Sequence, residues 1–375
     1  MKFLGEDKIK DCTVLVRTNF DMDLDNGTVV DNTPILAILP TLEFLIKGNN
    51  RIVILSSLGD FTGEARDESS LLPVRFEIAR QIGKTVKFVS ASNPVNSIKY
   101  MVPTDVLLIE NLFFHNEELP TTSEEQRLSF FKPFLDFCNV YIDESFGVDE
   151  NLSSVSWLKK KFKNVYYGIQ YQKELKVSKS ISSYPSPKIA ILGGELTSSK
   201  LNLMIRNTGK FDKFLLGGFL AKAIIDFIEK GSTFGSFTNE IARVVEKIQN
   251  KEIDVLLPID HICTDTSNNS VEVQTQSCPN EYEPKDIGPN TLILFREVIE
   301  MAETILWCGP MGAYKDERFN IGTEAIGEYI ALSASRKANK IACGKITLES
   351  ISKLKIKHKR FTHLSLAEDK FLDLI

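Results

Sequence analysis

The sequence predicts an α/β protein made of two doubly wound, Rossmann-like parallel sheets, and three observations carry that prediction. Short apolar runs such as Val106-Leu107-Leu108-Ile109 and Thr304-Ile305-Leu306-Trp307 show no polar alternation, as expected of strands covered on both faces. Segments of helical period separate these runs, and strand–helix–strand order implies parallel pairing through right-handed crossovers. The pattern breaks at Tyr184-Pro185-Ser186-Pro187 and then restarts, which predicts a second domain. We place an amino-terminal domain at 1–170, a linking helix and linker at 171–186, and a carboxyl-terminal domain at 187–375.

Taken in order, Thr13 to Arg17 is the first strand, Thr33 to Lys47 a helix closed by Gly48, and Arg51 to Leu55 the next strand. Leu72 to Ile82 reads as helical and Val86 to Val89 as extended, and the apolar runs at Val106 to Ile109 and Val140 to Ile142 continue the sheet. Glu174 to Ser183 is a polar helical segment with a weak apolar face. Beyond the prolines, Ile189 to Leu192, Lys213 to Leu216, Asp254 to Pro258 and Thr304 to Trp307 are expected as buried parallel strands. Asp265 to Pro284 is polar and without period, so a loop is expected there.

With 375 residues the chain can build two sizeable cores, and its 43% hydrophobic and 25% charged residues are those of an ordinary globular protein. A formal net charge of -5 gives no reason to expect nucleic acid or an acidic membrane as a partner. No apolar run approaches the roughly 18–20 residues that span a bilayer. The start of the chain turns charged at once, which predicts no secretory leader and a cytoplasmic protein. Cys12, Cys138, Cys263, Cys278, Cys308 and Cys343 form no CxxC pair and read as reduced, mostly buried thiols; the dispersed histidines supply no metal motif.

Ligands of open α/β sheets sit beyond the carboxyl ends of the strands, and four such ends in the second half carry glycine turns. These are Gly193-Gly194, Gly217-Gly218, Gly309-Pro310-Met311-Gly312 and Gly344-Lys345-Ile346-Thr347. Glycines there permit close approach of backbone to ligand, and Lys200 lies where it could meet a phosphate just inside a helix. No Gly-Lys-Ser/Thr closes a Walker A frame. Spacing alone thus admits a nucleotide-sized pocket.

In ordered motifs the chain resembles phosphoglycerate kinase. The carriers include Val14-Leu15-Val16-Arg17-Thr18-Asn19-Phe20-Asp21, Leu55-Ser56-Ser57-Leu58-Gly59 and Glu110-Asn111-Leu112-Phe113-Phe114-His115-Asn116-Glu117-Glu118. Ser145-Phe146-Gly147, Ala190-Ile191-Leu192-Gly193-Gly194, Leu256-Leu257-Pro258-Ile259-Asp260, Asp286-Ile287-Gly288-Pro289, Trp307-Cys308-Gly309-Pro310-Met311-Gly312 and Gly322-Thr323-Glu324-Ala325 follow in order. The resemblance implies an amino-terminal half that binds 3-phosphoglycerate, a carboxyl half that binds Mg-ATP or Mg-ADP, and phosphoryl transfer between them.

At the positions which that chemistry needs, the residue types have changed. The triose motif reads Asn19-Phe20-Asp21 with its polar ends exchanged; the arginine of the following helix falls on Pro34, and the arginine of the Leu-Arg-Phe-His motif on Phe113. Ser57 and Asp60 stand where the family has histidine and arginine, and a further arginine falls near Glu150 or Asn151. His115 is retained without its arginine neighbour and reads as structural. In the nucleotide half, one lysine falls on Leu196 and the second survives as Lys200. The ribose-binding acid falls on Lys315, and the magnesium-linked aspartate on Ile346, which cannot ligate a hard cation. The glycine-rich phosphate turn reads Ser365-Leu366-Ala367-Glu368-Asp369, and the chain stops at Ile375 before the family's returning tail.

The expectation is a phosphoglycerate kinase homologue without catalysis, with a binding, subunit or scaffold role and an unidentified protein partner. Residual nucleotide contacts would come from Gly193, Gly194, Lys200, Gly217, Gly218, Pro310, Gly312, Lys315, Gly344 and Thr347. Lys200 reads equally as a helix-surface lysine or a phosphate contact, Thr347 as a helix cap before a ligand, and Arg17 as pairing with an acid at the strand end. One alternative is a working phosphoglycerate kinase or other phosphotransferase whose lost cations are replaced by Arg66, Lys47 or Arg51. Another is unrelated chemistry with Cys308 or Cys343 as nucleophile.

Overall fold

Alternate residues of a strand point to opposite faces, so a run that is apolar throughout must be covered twice. The computed structural model describes residues 1–6, 8–25, 27–207, 209–265, 267, 269–273 and 282–375, and they divide into two units, Met1–Leu175 and Lys176–Ile375. The first unit contains β1 (Thr13–Thr18), β2 (Arg51–Leu55), β3 (Val86–Val89), β4 (Val106–Ile109), β5 (Val140–Glu144) and β6 (Val165–Tyr167). They form one parallel sheet in the order β3-β4-β2-β1-β5-β6. Val14, Val16, Ile52 and Ile54 pack on one face against α1 (Thr33–Lys47) and α2 (Leu72–Ile82). Leu15, Val53, Leu107 and Tyr141 pack on the other against Phe131 and Phe134 of α3 (Glu124–Phe137). Each such side chain contributes roughly 1.5–3 kcal/mol when fully buried. Trp157 extends this second core, its ring 5.9 Å from that of Phe131 and 4.8 Å beneath the Lys161 ammonium.

The helix at the end of this unit, α4 (Ile169–Ser180), starts five residues before the expected Glu174. Its start is set from outside. The buried Glu144 carboxylate, at the end of β5, accepts the N–H groups of Gln170 (3.1 Å) and Tyr171 (2.7 Å) and the Thr41 hydroxyl. Thr41 in turn accepts the Ile169 N–H at 2.9 Å. A β-carbon on Gly168 would lie 2.0 Å from that carboxylate, so only glycine lets the chain enter the helix here.

The second unit holds β7 (Lys188–Leu192), β8 (Lys213–Leu216), β9 (Val255–Leu256), β10 (His261–Thr264), β11 (Ser270–Val273), β12 (Glu283–Ile287), β13 (Thr304–Cys308), β14 (Asn339–Cys343) and β15 (His363–Ser365). The helices are α5 (Ser198–Ile205), α6 (Gly218–Lys230), α7 (Thr238–Gln249), α8 (Pro289–Met301), α9 (Ile321–Glu328), α10 (Lys345–Lys353) and α11 (Asp369–Asp373). Its parallel sheet runs β9-β8-β7-β13-β14-β15. Ile189, Ile191, Ile305 and Trp307 meet Phe295 of α8, Ile326 of α9 and Leu348 of α10 in one core. The fully buried Trp307 ring stacks 6.3 Å from Phe361, and its indole N–H donates to the Gly309 carbonyl at 2.9 Å. The fold class expected from the sequence is therefore present in both units.

Two expectations need correction. Asp254 to Pro258 is not a buried strand: β9 is two half-buried residues at the sheet edge. The stretch Asp265 to Pro284 is not simply a loop, because β11 and the start of β12 flank β10 in an antiparallel sheet of order β11-β10-β12. The rest of that stretch, at 266, 268 and 274–281 and including Cys278, lies outside the described residues. Among the described residues no helix is long and apolar enough to cross a membrane.

Arg17 on β1 is fully buried, and its expected acid is not at a strand end but at Glu118, in the turn after Phe114. The guanidinium lies 3.6 Å from Glu118 and donates to the hydroxyls of Ser154 (2.6 Å) and Ser57 (3.1 Å) and to the Thr18 carbonyl. Glu118 accepts from the Ser154 hydroxyl (2.5 Å) and N–H (3.0 Å), while burial pushes its carboxyl up against the pull of Arg17. We predict that Arg17→Met lowers the unfolding free energy by about 3–5 kcal/mol, because it leaves a buried acid without its cation. Adding Glu118→Gln should recover most of that loss in denaturant titration; strictly additive effects would contradict the coupling.

Candidate functional site

In each unit the strand order reverses beside the first strand, between β1 and β5 and between β7 and β13, and loops diverge there to leave a crevice. In the second unit the glycine turns close over this point by packing on one another. Gly193 N–H donates to the Cys308 carbonyl (2.8 Å), Gly194 N–H to Pro310 (2.7 Å), and Gly218 N–H to Met311 (2.9 Å). A β-carbon would meet the Pro310 oxygen at 2.2 Å from Gly193, and the Gly194 nitrogen at 2.4 Å from Gly218. Glycine is thus demanded here by contact between turns, whatever else the site does.

Two hydroxyls hold the turn after β13. Thr347 accepts the Gly309 N–H at 2.7 Å, and Thr323 accepts those of Met311 (3.0 Å) and Gly312 (3.3 Å). Thr347 is therefore not a helix cap, since Gly344 holds the N-cap position of α10. The residues after β7, β8 and β13, with β12, surround a cavity of about 620 Å³, a volume ordinary for small-molecule sites. Phe219, Met311, Ala313, Tyr314 and Ile346 give it largely apolar walls.

The lysines at this cavity already face carboxylates. Lys285 lies 2.8 Å from Glu283, Lys315 lies 2.8 Å from Glu349, and Lys222 is paired with Asp226. Leu196 is buried. Lys200 is not on a helix surface. Only 2% exposed, it lies 2.7 Å from the Glu368 carboxylate and donates to the Glu195 carbonyl at 3.1 Å. Burial works against its charge, but the Cys308 thiol and Glu368 outweigh it and hold its pKa above the ordinary value.

The donor set does not fit magnesium. Ile346 offers no ligand; Asp316 is bound to Arg318 and Glu283 to Lys285. Asp286 is wedged so that a β-carbon on Gly312 or Gly322 would come within 2.2 Å of it. Among the described residues no cluster of three or more His, Cys, Asp or Glu could hold a metal ion. Cys308 and Cys343 are both fully buried, with the Cys343 thiol pushed well above its ordinary pKa by burial, so neither is presented as a nucleophile.

In the first unit the loops at the strand ends are knit to themselves. Asn19 accepts the Asp21 N–H (3.0 Å), and Asp21 accepts the Gly59 N–H (3.1 Å). Ser57 is committed to Arg17, and the Asn111 side chain holds both the N–H and the carbonyl of Leu58. Asp60 is exposed. His115 lies 4.8 Å from Phe130 with the two rings tilted by 42°, and burial lowers its pKa. Phe113, half-buried, packs edge-on to Phe61 at 6.1 Å, and Pro34 is buried in the first turn of α1. Of the displaced cations considered, Lys47 ends α1 and Arg51 begins β2, at the sheet edge away from these loops. Arg66 lies on the loop side but 3.0 Å from Glu64.

Sequence reasoning did not find Glu368 as the partner of Lys200, nor Thr323 or Asp286 as parts of the site. The visible signal was an acid where the resembling family has a glycine turn. Nothing local links that acid to a lysine in a different part of the chain.

The family profile described as phosphoglycerate kinase matches residues 4–375. The phosphoglycerate kinase of Finegoldia magna is 30% identical over 380 residues, covering 97% of this chain and 93% of its own. That of Thermosipho africanus is 29% identical over 371 residues, covering 95% and 90%. The solved phosphoglycerate kinase of Pyrococcus horikoshii superposes with a TM-score of 0.82 at 21% identity, over 100% of this chain and 95% of its own. That of Coxiella burnetii gives 0.74 at 24%, over 99% and 95%. These two likenesses show the fold.

Asp286, at the cavity floor, accepts the Gly322 N–H at 2.7 Å, but burial dominates and pushes its carboxyl up to about 7. A folded pKa above the unfolded one means the native state binds the extra proton, so stability is highest below about pH 4 on this account and falls as pH rises toward 7. We predict that Asp286→Asn flattens that part of the stability–pH curve by about 4 kcal/mol at most, a tenfold change in proton affinity being worth about 1.4 kcal/mol. Denaturant midpoints measured from pH 4 to 8 check this; an unchanged slope would contradict it.

Proposed function

The chain belongs to the phosphoglycerate kinase family, and from that premise we propose that it is a silent member, retaining the fold for binding and not for phosphoryl transfer. Bringing two polyanions together requires cations at the reacting oxygens, and the field of those groups supplies most of the acceleration. The observation that carries the proposal is the state of Lys200: the lysine after the first glycine turn is buried under Glu368, an anion of the chain's own.

Other features support the same reading. Pro34, Phe113, Leu196 and Ile346 stand where the family resemblance places charged groups. The Arg17 guanidinium is spent on Glu118 and two serines. Losing one charge-assisted contact to a transition state costs roughly 10²–10³ in rate. Several are missing together, so even strongly non-additive effects leave little turnover. What persists is an apolar-walled cavity of ligand size, which suits a binding, subunit or scaffold role with a protein partner.

The rival reading, a working phosphoglycerate kinase or another phosphotransferase with rebuilt contacts, draws on the family match running unbroken from 4 to 375. One assay separates the two. With 1,3-bisphosphoglycerate and Mg-ADP, ATP formation should stay below about a thousandth of the roughly 1–100 s⁻¹ usual for kinases. Turnover above that limit would overturn the silent reading.

A further inference from the structure

We propose that Glu368 is a built-in anion that keeps a phosphate-sized site at Lys200 closed, so that moving this one side chain opens an anion site in the folded protein. The inference deepens the silent reading and concerns the same glycine turns, but it stands on its own geometry. The Lys200 ammonium, rising from the first turn of α5, lies 2.7 Å from one Glu368 oxygen. The other oxygen lies against Gly344, where a β-carbon would come within 2.6 Å of it. Gly344 has φ +95° and starts α10 without any side-chain cap. The carboxylate therefore lies between a buried ammonium and the start of a nine-residue helix, whose positive end favours an anion.

Burial differs sharply across this pair. The lysine side chain is 2% exposed and the glutamate 23%, so part of the glutamate reaches solvent while its oxygen facing the ammonium is buried with it. A buried ammonium is stable only with a counter-charge, so whatever displaces Glu368 must itself be an anion. The displaced volume, a carboxylate and its methylene, is close to that of a phosphate group.

The backbone carrying Glu368 is anchored independently of it. The Ser365 hydroxyl accepts the Ala367 N–H at 3.2 Å. Past Glu368, Phe371 is fully buried and stacks 5.8 Å from His363, and Asp373 pairs with Arg206 at 3.0 Å. Rotation about the glutamate side chain can open the site without unfolding this end of the chain.

The test uses the full chain and inorganic phosphate, read as the rise of Tm with phosphate concentration against chloride at equal ionic strength. Glu368→Ala should be less stable than wild type and should be restored by phosphate, with an apparent Kd at least about tenfold tighter than wild type. Lys200→Met/Glu368→Ala should lose that response. Should Glu368→Ala not fold, Glu368→Gln, which keeps the shape and removes the charge, must respond more strongly than wild type. Equal responses in wild type and variant, or a response that survives in the double variant, would overturn the proposal.

A parallel titration with ADP without magnesium distinguishes two sources of the anion. Tighter binding than phosphate assigns it to the phosphate end of a nucleotide, and equal binding to free phosphate; both support the latent site. Turnover by the wild-type protein would remove the silent reading and leave this comparison intact. Equal phosphate responses would remove the latch and leave the silent reading intact.

Discussion

The second unit depends on backbone passing directly against backbone where β7, β8 and β13 end. Three N–H groups of Gly193, Gly194 and Gly218 each donate to a carbonyl of the Cys308–Met311 segment. A side chain at Gly193 or Gly218 would occupy space already taken by main-chain atoms, and Gly194 adopts a φ of +64° that favours glycine. This constraint explains why the glycine turns persist in a chain whose charged positions have changed so freely. Turn-to-turn contact is a requirement of folding, whatever a ligand would demand of the same turns. The glycine pattern is therefore no evidence, by itself, for or against catalysis.

The polar residues divide along the same line. Asp260 accepts the N–H groups of Asn290 and Thr291, both at 2.8 Å, and so closes the amino end of α8. Glu144 does the same for α4, and Thr323 and Thr347 hold the turn after β13. These are interior roles that any working or silent member of the fold would need. The lysines at the cavity rim, by contrast, are each paired with a carboxylate of the chain's own. Exposed pairs of this kind contribute little to stability, and each lysine charge is offset by its neighbour.

Most of the architecture was legible because the strands are apolar on both faces; Val106–Ile109 and Thr304–Trp307 could be read directly. What escaped reading was set by partners distant in sequence. The start of α4 is fixed by Glu144 on β5, which no local signal at Ile169 announces. Ser270–Val273 and Glu283–Ile287 are strands because β10 lies between them; Glu283-Pro284-Lys285-Asp286 has the composition of a loop. Val255-Leu256 reads as core by composition but sits at a sheet edge. At the site, the changed residue types at Pro34, Phe113 and Ile346 were visible in the sequence. The pairing of Lys200 with Glu368 was not, because helix α5 and the segment after β15 meet only in the folded chain.

The placement of the two tryptophans has a spectroscopic consequence. Trp157 belongs to the first unit, half-buried with a lysine ammonium over its ring, and Trp307 belongs to the second, sealed from solvent beside Phe361. Each unit thus carries one tryptophan, in surroundings of different polarity. Emission from the two can be resolved by wavelength and quencher access, so the melting of either half can be followed in the unlabelled molecule.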